Sequence, residues 1–396
     1  MSKASPQRPW VAYVGPFGYP DGGAAARRVR GMAESLVLSG FDVVIASGAG
    51  DAADAPVELV HEAEGIDYCH LPERVAEHWP RPLRRMRYAA MGGRTVEWLA
   101  SQPVLPAAVI LYSGYTPYLQ KLLPWCRRHG VRLLFDAVEW YEPAHLWGYL
   151  TSPYQWNIEW AMRRLILKVD GVIAISRYLA DYYGRQGLPV ALVPPTTSAI
   201  APGPWRPESR LRLCYAGSPG HKDALGAVLQ ALAGMVDAGA SIHLTVAGPE
   251  RAQVLCMLGA RQSDRLPWLA TPGMLEHAQV QQLVGSVDFS ILARRRCRTS
   301  QAGFPTKFVE SFAAGTPVIA NLTSDLGLHL RDGETGVVSS GADPAGIAAA
   351  VQRALALEHS AVAGMREACM RHAQAFFHPR VHVGALRQLL KPDRSP

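Results

Sequence analysis

The sequence predicts an α/β protein with two doubly wound domains, each built on a parallel sheet with helices on both faces. Its 396 residues suit two or three domains, since a domain commonly holds roughly 150 residues. Short apolar segments alternate with helical patterns twice, and a stretch rich in Pro, Gly, Ser and Thr, residues 194–207, separates the two series. We therefore expect two domains facing a cleft, with ligands beyond the carboxyl ends of the strands.

The first half begins with a buried strand followed by a helix. The segment WVAYVGPFG, residues 10–18, predicts the strand, and Val29, Met32 and Leu36 recur at helical spacing in the next segment. Gly40 is expected just beyond the end of that helix. Further strands are predicted at 41–47, 107–113, 131–137, 171–176 and 190–195, and helices at 116–129, 156–169 and 177–187. This alternation predicts parallel pairing with right-handed crossovers.

The second half repeats the alternation after the Pro- and Gly-rich stretch. Strands are predicted at 211–217, 241–248, 268–273, 287–293, 316–321 and 336–340. Helices are predicted at 222–238, 250–260, 277–286, 306–314 and 344–358, with a last amphipathic segment at 361–391. We therefore assign residues 1–205 and 206–376 to the two domains. Residues 377–396 are expected to form a C-terminal helix that packs back on the first domain.

Composition excludes several classes of protein. With 48% apolar and 18% charged residues, the chain is expected to be globular and not disordered. No run of about 18 apolar residues predicts a membrane span, and no secretory signal is visible. Six cysteines without a CxxC pair favour free thiols in a reducing cytoplasm over disulfides or a zinc site. A net charge of +7 suits anionic ligands or an acidic membrane surface.

The stretch GFPTKFVESFAAGTPVIA, residues 303–320, carries the most chemistry. Lys307 and Glu310 share one face of the helix predicted at 306–314. The helix dipole disfavours a cation in the first turn, and a bound anion would resolve that conflict. Glu310, one turn deeper, suits sugar hydroxyls, since carboxylates commonly hold ribose. The alternative is an exposed ion pair worth about 0.2–0.5 kcal/mol.

This stretch resembles the motif region of the retaining glycosyltransferases of family four, the glycosyl transferases of group 1. Five other segments match the family at the expected places: GGAAARRVRGMAESLVLSGFDVV, YAGSPGHKDALGAVLQAL, LTVAGPE, VDFSILA and RDGETGVVSSGADPAGIAAAV. The resemblance covers nearly the whole chain. It implies the GT-B architecture, in which the first Rossmann-like domain holds the acceptor and the second binds the nucleotide sugar.

The resemblance also implies roles for individual residues. Glu310 matches the glutamate that holds the ribose, and Lys222 matches a basic residue that pairs with the diphosphate. Gly273 and Met274 match the segment beside the base. The helix pattern and the resemblance together give the donor-binding candidates Gly22, Gly23, Gly217, Lys222, Gly273, Met274, Gly303, Phe304, Pro305, Thr306, Lys307 and Glu310.

The chain departs from the family pattern at two positions. Ala302 stands where the first motif glutamate is expected, and Val138 stands where many relatives carry a histidine. Asp136 and Glu139 resemble a variant motif, and either carboxylate could position the acceptor hydroxyl or act as its base. Asp136 could equally cap a loop. Glu139 is slightly favoured because it lies past the end of the predicted strand.

Three other features have both a functional and an ordinary interpretation. Four arginines follow the strand at 287–293, and we expect Arg296 or Arg298 to contact the diphosphate or a donor carboxylate, although a solvated loop explains them too. Trp140 and Tyr141 are candidates for stacking on the acceptor, against the alternative of core packing. The basic segment 74–94 suits an anionic bilayer or an ordinary solvated helix face.

The residues and the resemblance together predict a metal-independent glycosyltransferase that moves a sugar from a nucleotide diphosphate sugar to an acceptor hydroxyl. The resemblance alone implies that the enzyme is retaining. The catalytic candidates are Glu139, Asp136, Lys222 and Lys307. The acceptor is expected to be lipid-linked, a saccharide or a small molecule, in polysaccharide, glycolipid or glycoconjugate synthesis. No cofactor beyond the substrate is expected, and no nucleic-acid partner, because the charge is modest and no binding motif occurs.

Four alternatives remain at this point. The first is a non-catalytic GT-B scaffold, and the second is a natural-product glycosyltransferase. The third is another GT-B enzyme, such as an epimerase or a phosphorylase. The fourth concerns location, since a cytoplasmic protein of this charge could also sit at the inner face of the plasma membrane.

Overall fold

The chain folds into two compact units. The computed structural model describes residues 8–21, 23–48, 61–63, 65–71, 73, 88–143, 152–261 and 265–391. The first unit comprises Met1–Thr196 and Pro379–Pro396, and the second comprises Thr197–His378. The division therefore lies nine residues before the boundary that the sequence suggested, because part of the expected linker pairs with the second unit. The Ala201 and Gly203 amides donate to the carbonyl oxygens of Ala313 and Ala314, each at 3.1 Å.

Within its described residues, the first unit contains an eight-stranded sheet with helices. Its strands are β1 (Trp10–Gly15), β2 (Asp42–Ser47), β3 (His61–Ala63), β4 (Ile66–His70), β5 (Ala108–Tyr112), β6 (Arg132–Ala137), β7 (Gly171–Ala174) and β8 (Val190–Leu192). Its helices are α1 (Gly23–Leu38), α2 (Gly93–Ser101), α3 (Thr116–His129), α4 (Pro153–Trp160) and α5 (Arg177–Gly184). The strand order is β3-β4-β2-β1-β5-β6-β7-β8, and β3 pairs with β4 antiparallel while the other pairs are parallel.

The second unit is a six-stranded parallel sheet. Its strands are β9 (Leu211–Ala216), β10 (Ile242–Ala247), β11 (Leu269–Gly273), β12 (Phe289–Leu292), β13 (Val318–Asn321) and β14 (Gly336–Ser339), in the order β11-β10-β9-β12-β13-β14. Its helices are α6 (Leu225–Asp237), α7 (Arg251–Leu258), α8 (His277–Ser286), α9 (Arg298–Ala302), α10 (Thr306–Ala313), α11 (Pro344–Leu355) and α12 (His359–Phe376). A 3₁₀ turn, Ser324–Leu328, follows β13.

The chain returns to the first unit at its end. A 3₁₀ turn, Pro379–His382, leads into α13 (Val383–Leu390). Leu386, Leu389 and Leu390 of α13 belong to the core cluster of the first unit, together with the α1 face predicted from helical spacing. The amphipathic segment at 361–391 is therefore broken at Pro379 and not a single helix, since proline cannot supply the amide that continues a helix.

Two further predictions of local structure were incomplete. The segment predicted as a helix at 156–169 is α4 followed by a π-helical turn, Ala161–Leu165, and a 3₁₀ turn, Ile166–Lys168. Strands β3 and β4 and helix α2 were not predicted. The expected α/β class with doubly wound parallel sheets is confirmed. Within the described residues, no helix combines the length and the apolar character that a membrane span requires.

Candidate functional site

The carboxyl ends of three neighbouring strands in the second unit are brought together by glycines. The Gly217 amide, just after β9, donates to the Ala247 carbonyl oxygen at 2.8 Å, and the Gly248 amide donates to that of Gly273 at 2.7 Å. A Cβ atom on Gly248 would lie 2.8 Å from the carbonyl carbon of Gly217. Both glycines have φ near +120°, which other residues rarely adopt (+116° and +120°). This edge therefore presents bare backbone, as a surface that receives a ligand closely requires.

Lys307 belongs to the first turn of α10, and its side chain lies against these strand ends. Phe308, Val309 and Phe312 bury the opposite side of the helix, as the helical spacing predicted. A Cβ atom on Gly217 would come within 2.6 Å of Lys307 Cε. The Lys307 ammonium lies 4.0 Å from the centroid of the Tyr215 ring. Packing between the glycine backbone and an aromatic ring therefore fixes the position of Lys307.

The Lys307 ammonium is buried, and no hydrogen-bond partner is found for it within the described part of the chain. Burial lowers the pKa of Lys307 to about 8. The carboxylates of Asp223 and Glu310 oppose this shift, whereas the charges of Arg294 and Lys222 add to it. A cation desolvated in this way is well placed to take an anionic ligand, whose charge would restore the favourable environment that water no longer provides.

Lys222 and Arg294 reach the same place through a short backbone pairing. The Arg295 amide donates to the Lys222 carbonyl oxygen at 2.8 Å, and the Ala224 amide donates to the Ala293 carbonyl oxygen at 2.9 Å. Arg294 is 2% exposed. Its backbone is held by Asn321, whose side chain accepts from the Arg294 amide at 2.9 Å and donates to its carbonyl oxygen at 2.8 Å. The loop after β9 is thus fastened to the loop after β12.

Glu310 lies one turn beyond Lys307 and lines a small cavity of about 20 Å³. Lys307, Ser290, Ser311 and Cys214 are among the other residues around it. This volume has room for about one water molecule, so a nucleotide would have to lie outside it, against α10 and the strand ends. A larger groove, of about 610 Å³ between α6 and α11, is lined by apolar, small and glutamine side chains, without a charged group. Its chemistry does not suit an anionic nucleotide.

The loop before α10 is held in place by burial and by aromatic packing. Gly303, Phe304 and Pro305 are buried, and Thr306 is half-buried. The Phe304 ring meets an aromatic cluster, with ring centroids 6.0 Å from Phe308 and 5.6 Å from His329. This packing holds the backbone of the loop in place at the amino end of α10, although its predicted contact with a donor stays a prediction.

The remaining donor candidates of the second unit are less closely associated with Lys307. Gly273 ends β11, and Met274 beside it is 73% exposed. Arg296 is exposed and Arg298 begins α9. Of the four arginines after β12, Arg294 has the guanidinium whose charge acts on Lys307. Sequence reasoning preferred Arg296 or Arg298, and their role in donor binding stays a prediction.

In the first unit, Asp136 is not suited to be a base. It is fully buried, and Arg28 donates to its Oδ1 at 2.8 Å and to its Oδ2 at 3.2 Å. The Tyr13 hydroxyl donates to the same carboxylate. The assignment of Asp136 to catalysis is therefore wrong on physical grounds, because a carboxylate ion-paired inside the core cannot meet an acceptor hydroxyl. Its role is to hold β1, α1 and β6 together.

Trp140 is also buried, which corrects its assignment as a stacking surface for the acceptor. It is 2% exposed, and its ring packs 4.7 Å from the Tyr182 ring centroid. Its Nε1 donates to Glu159 Oε1 at 3.3 Å. Tyr141, by contrast, is 46% exposed. Partial burial and the Glu139 carboxylate, with which Tyr141 shares a side-chain hydrogen bond, raise the pKa of Tyr141.

Glu139 and Tyr141 therefore form the polar pair that remains at the carboxyl end of β6. Glu139 is half-buried, and its charge also raises the pKa of Tyr112, although burial is the larger cause. Gly23 begins α1 with φ +64°, while Gly22 lies outside the described residues, as does most of the basic segment 74–94. The predicted roles of Gly22, Gly23 and that segment stay predictions.

Sequence reasoning missed three residues that shape these sites, namely Arg28, Tyr215 and Asp223. It included Arg294 among the four arginines but preferred Arg296 or Arg298. Arg294 directly follows a strand, which is a position where ligand-binding side chains are common in such sheets. Tyr215 precedes Gly217 by two residues at the end of β9. These positions were the available signals, but the partners lie on other elements.

Comparisons with known proteins cover most of the chain. Residues 23–196 match the family described as "Glycosyl transferase 4-like domain", and residues 210–356 match the one described as "Glycosyl transferases group 1". A D-inositol 3-phosphate glycosyltransferase of Geodermatophilus obscurus is 44% identical over 68 residues, which are 17% of this chain and 14% of that protein.

Two solved structures show the likeness of the fold. Sucrose-phosphate synthase from Thermosynechococcus elongatus superposes with a TM-score of 0.73 at 16% identity, covering 97% of this chain and 98% of that one. The catalytic domain of starch synthase IV from Arabidopsis thaliana, bound to ADP and acarbose, gives a TM-score of 0.71 at 12% identity, covering 97% and 99%.

The family matches of both halves of the chain therefore agree with the family indicated by the motifs at 303–320. The strand order, the glycine-lined strand ends and the two family matches point the same way. The chain belongs to the group 1 glycosyltransferases and has their GT-B architecture of two Rossmann-like domains.

Proposed function

We propose that this protein transfers a sugar from a nucleotide diphosphate sugar to the hydroxyl of an acceptor. The observation that carries the proposal is the position of Lys307, whose buried ammonium has no hydrogen-bond partner in the described residues and lies beside bare strand ends. Glu310 lies one turn away on the same helix face. A nucleoside diphosphate offers anionic oxygens to the first and ribose hydroxyls to the second.

The donor is assigned by chemistry and supported by likeness. Lys222, Arg294 and Lys307 place three cations near one another, against the carboxylates of Asp223 and Glu310. Such an excess suits a diphosphate, which carries more negative charge than a sugar alone. The starch synthase with a similar fold was solved with ADP bound, which is consistent with a nucleotide donor.

The reaction we propose is a retaining displacement without a metal ion. The bond from the anomeric carbon to the phosphate oxygen breaks, and the diphosphate leaves with the electron pair. The acceptor oxygen bonds to the same carbon from the same face, and its proton passes to the departing phosphate oxygen. Lys222 and Lys307 stabilise the charge that gathers on the diphosphate, which is how preorganised cations lower such a barrier.

The acceptor is proposed to meet the first unit at Glu139 and Tyr141. The Glu139 carboxylate can accept from an acceptor hydroxyl and orient its oxygen, while the exposed ring of Tyr141 offers an apolar face to a sugar ring. The inositol phosphate and sucrose phosphate in the names of the similar proteins suggest a small polyhydroxylated acceptor. A saccharide or a lipid-linked acceptor is the alternative, in polysaccharide, glycolipid or glycoconjugate assembly.

The lipid-linked alternative has a separate test. If residues 74–94 contact a membrane, the protein should co-sediment with anionic vesicles and remain in solution with neutral ones. Absence of co-sedimentation with either kind of vesicle would remove the membrane from the proposal and leave a soluble acceptor.

The proposal is tested first by nucleotide binding. We expect one nucleoside diphosphate among UDP, GDP, dTDP and ADP to raise the melting temperature, and Glu310→Ala to remove the shift. Glu367→Ala is the matched control, because Glu367 is 71% exposed on α12 and its change should leave the shift intact. No response to any of the four would favour a non-catalytic scaffold.

Turnover is then tested with the sugar nucleotides of the base so identified. Mass spectrometry detects sugar transferred to a panel of sugars, sugar phosphates and polyols, and NMR of the product reports whether the anomeric configuration is kept. Activity that persists in EDTA supports a reaction without a metal ion, and activity that is lost and then restored by Mg²⁺ contradicts it. Alanine at both Arg296 and Arg298 should raise the donor KM if either contacts the donor.

A further inference from the structure

Among the buried polar atoms of the second unit for which no hydrogen-bond partner is found in the described residues, two belong to side chains in contact with each other. One is the ammonium nitrogen of Lys307, and the other is the hydroxyl oxygen of Tyr215. The great majority of buried polar atoms in folded proteins have a partner, so two such atoms on side chains that contact each other need an explanation. A ligand that supplies the missing partner to both is the simplest one.

The Tyr215 ring holds Lys307 in a defined place. The ammonium lies 4.0 Å from the ring centroid, a distance at which an aromatic face attracts a cation. The lysine chain is confined on another side by Gly217, where a Cβ atom would come within 2.6 Å of Lys307 Cε. Tyr215 itself is 1% exposed, so its ring cannot swing away into solvent.

The surrounding charges do not satisfy the pair. Asp223 and Glu310 are the carboxylates that act on Lys307, and Arg294 and Lys222 are the cations. Asp223 and Arg294 also act on the Tyr215 hydroxyl, whose pKa is raised chiefly by burial. The Asp223 carboxylate accepts from the Gly220 amide at 2.8 Å, within its own turn. An anion that reached both groups would therefore meet two donors, the ammonium and the hydroxyl.

We propose that Tyr215 is a positioning residue of the donor site, which carries the Lys307 ammonium on its ring and shares with it one phosphoryl oxygen of a bound nucleoside diphosphate. This inference rests on the proposed function and adds one residue to it, with separate roles for the ring and the hydroxyl of Tyr215. The ring places the cation before the ligand arrives, which lowers the cost of ordering a long flexible chain on binding. The hydroxyl then donates to the same anion.

The competing explanation is that Tyr215 is only a core residue. It belongs to the main apolar cluster of the second unit, and a ring in this place would pack equally well without a hydroxyl. The two explanations differ in what they expect of Tyr215→Phe. If Tyr215 only packs, the phenylalanine variant binds nucleotide as the wild type does. If the hydroxyl donates to the ligand, the variant binds more weakly although its core is intact.

The experiment is calorimetric titration of the purified full chain with UDP, GDP, dTDP and ADP. With the nucleotide that binds, we expect Tyr215→Phe to weaken binding about three- to tenfold and Tyr215→Leu, which also removes the ring, by more than tenfold. Lys307→Met should weaken binding most. Thermal unfolding of each variant without ligand identifies any that fails to fold, and Tyr215→Phe, which keeps the ring, is the variant on which the result depends.

A second measurement separates a bound ligand from mere packing. The Lys307 ammonium loses its proton near pH 8, whereas the terminal phosphate titrates near pH 6 and stays fully charged above pH 7. Wild-type affinity should therefore fall by up to about tenfold from pH 7 to pH 9. The fall should be absent in Lys307→Met, which also serves as the control for any ionisation of the base.

The outcomes distinguish the two levels of the proposal. If a nucleotide binds and Tyr215→Phe binds it as tightly as the wild type, the role of the Tyr215 hydroxyl is overturned and the proposed function stands. If Tyr215→Leu also binds normally, the role of the ring is overturned as well. If no nucleotide of the four binds the wild type, the proposed function itself fails, and with it this inference.

Discussion

Arg28 in the first unit and Lys307 in the second each carry a buried charged group, and the two groups differ in the partners that the fold provides. In the first unit, the Arg28 guanidinium donates to both oxygens of Asp136 and to the carbonyl oxygens of Val193 and Pro194, at 2.7 and 2.8 Å. In the second unit, the Lys307 ammonium has an aromatic face and no hydrogen-bond acceptor within the described residues. One charge is completed by the fold, and the other is left for a ligand.

The consequences for the two pKa values follow from this difference. Burial alone would lower the pKa of Arg28, but the Asp136 carboxylate outweighs it and the pKa is raised. Lys307 has no such partner, and burial lowers its pKa to about 8. The comparison shows that burial of a charge does not by itself indicate function. What distinguishes the two cations is whether the fold supplies the acceptors, since a buried charge without a partner costs free energy that a bound anion would recover.

The largest effect is expected from a substitution that breaks the buried ion pair between Arg28 and Asp136. Asp136→Asn leaves the Arg28 charge buried without a counter-ion, and we expect the free energy of unfolding to fall by about 3–5 kcal/mol. Urea denaturation at pH 7 measures it. Glu334→Gln is the control, because it removes the carboxylate from an ion pair with Arg331 whose two side chains are 57% and 55% exposed. That change should cost less than about 1 kcal/mol. Equal losses in the two variants would contradict the structural role of Asp136.

A third buried group, His372, tests the same principle with pH. Its ring lies against His329, with Nδ1 of His329 2.9 Å from Nε2 of His372, and burial lowers the pKa of His372 to about 4. The charge of Arg331 adds to this shift and that of Glu334 opposes it. The folded-state pKa is below the unfolded value of 6.5, so the associated stability is present above pH 6.5 and is lost as pH falls toward 4.

We therefore expect the protonation of His372 to lower the free energy of unfolding of the second unit by about 2 kcal/mol between pH 7.5 and pH 5. Chemical denaturation at the two pH values, compared with His372→Leu, measures this share. The variant should be less stable at pH 7.5 and should show a flatter pH dependence. His359→Gln, at an exposed position on α12, should keep the wild-type slope. A wild-type slope in His372→Leu would show that other groups cause the acid sensitivity.

The smallest effect is expected from a substitution that removes the buried ammonium of Lys307. Lys307→Met should stabilise the free protein by about 1–2 kcal/mol at pH 7, because a charged ammonium no longer has to be desolvated. The folded-state pKa of about 8 is below the unfolded value of 10.5, so the penalty is complete below pH 8 and fades as pH rises to 10.5. The gain measured by urea denaturation should therefore shrink at pH 9.5. A loss of stability at pH 7 would show that Lys307 is a structural cation like Arg28.

Sequence patterns predicted local structure well where the periodicity was long. The helices at 116–129 and 277–286 begin and end where they were expected, because apolar spacing and the Gly130 terminus mark them clearly. The short strands β3 and β4 were missed, since three to five residues carry little periodicity and their antiparallel pairing departs from the surrounding pattern.

The candidate site was predictable as far as one helix extends. The i, i+3 relation placed Lys307 and Glu310 on one face of α10 before the structure was known. Contacts between elements were not predictable in this way. The partner of Arg28 lies 108 positions away, and the burial of Trp140 depends on Tyr182, which belongs to a different helix. The same limitation hid Tyr215, whose ring meets Lys307 only after β9 and α10 have packed.

The return of the chain to its first unit has a consequence for the order of assembly during synthesis. All elements of the second unit leave the ribosome before Leu386, Leu389 and Leu390, which belong to the core of the first. All residues of the second unit are therefore synthesised before α13, whereas the core of the first unit stays incomplete until α13 has been added. A chain released after residue 378 would contain every element of the later unit and an earlier one that lacks its final helix.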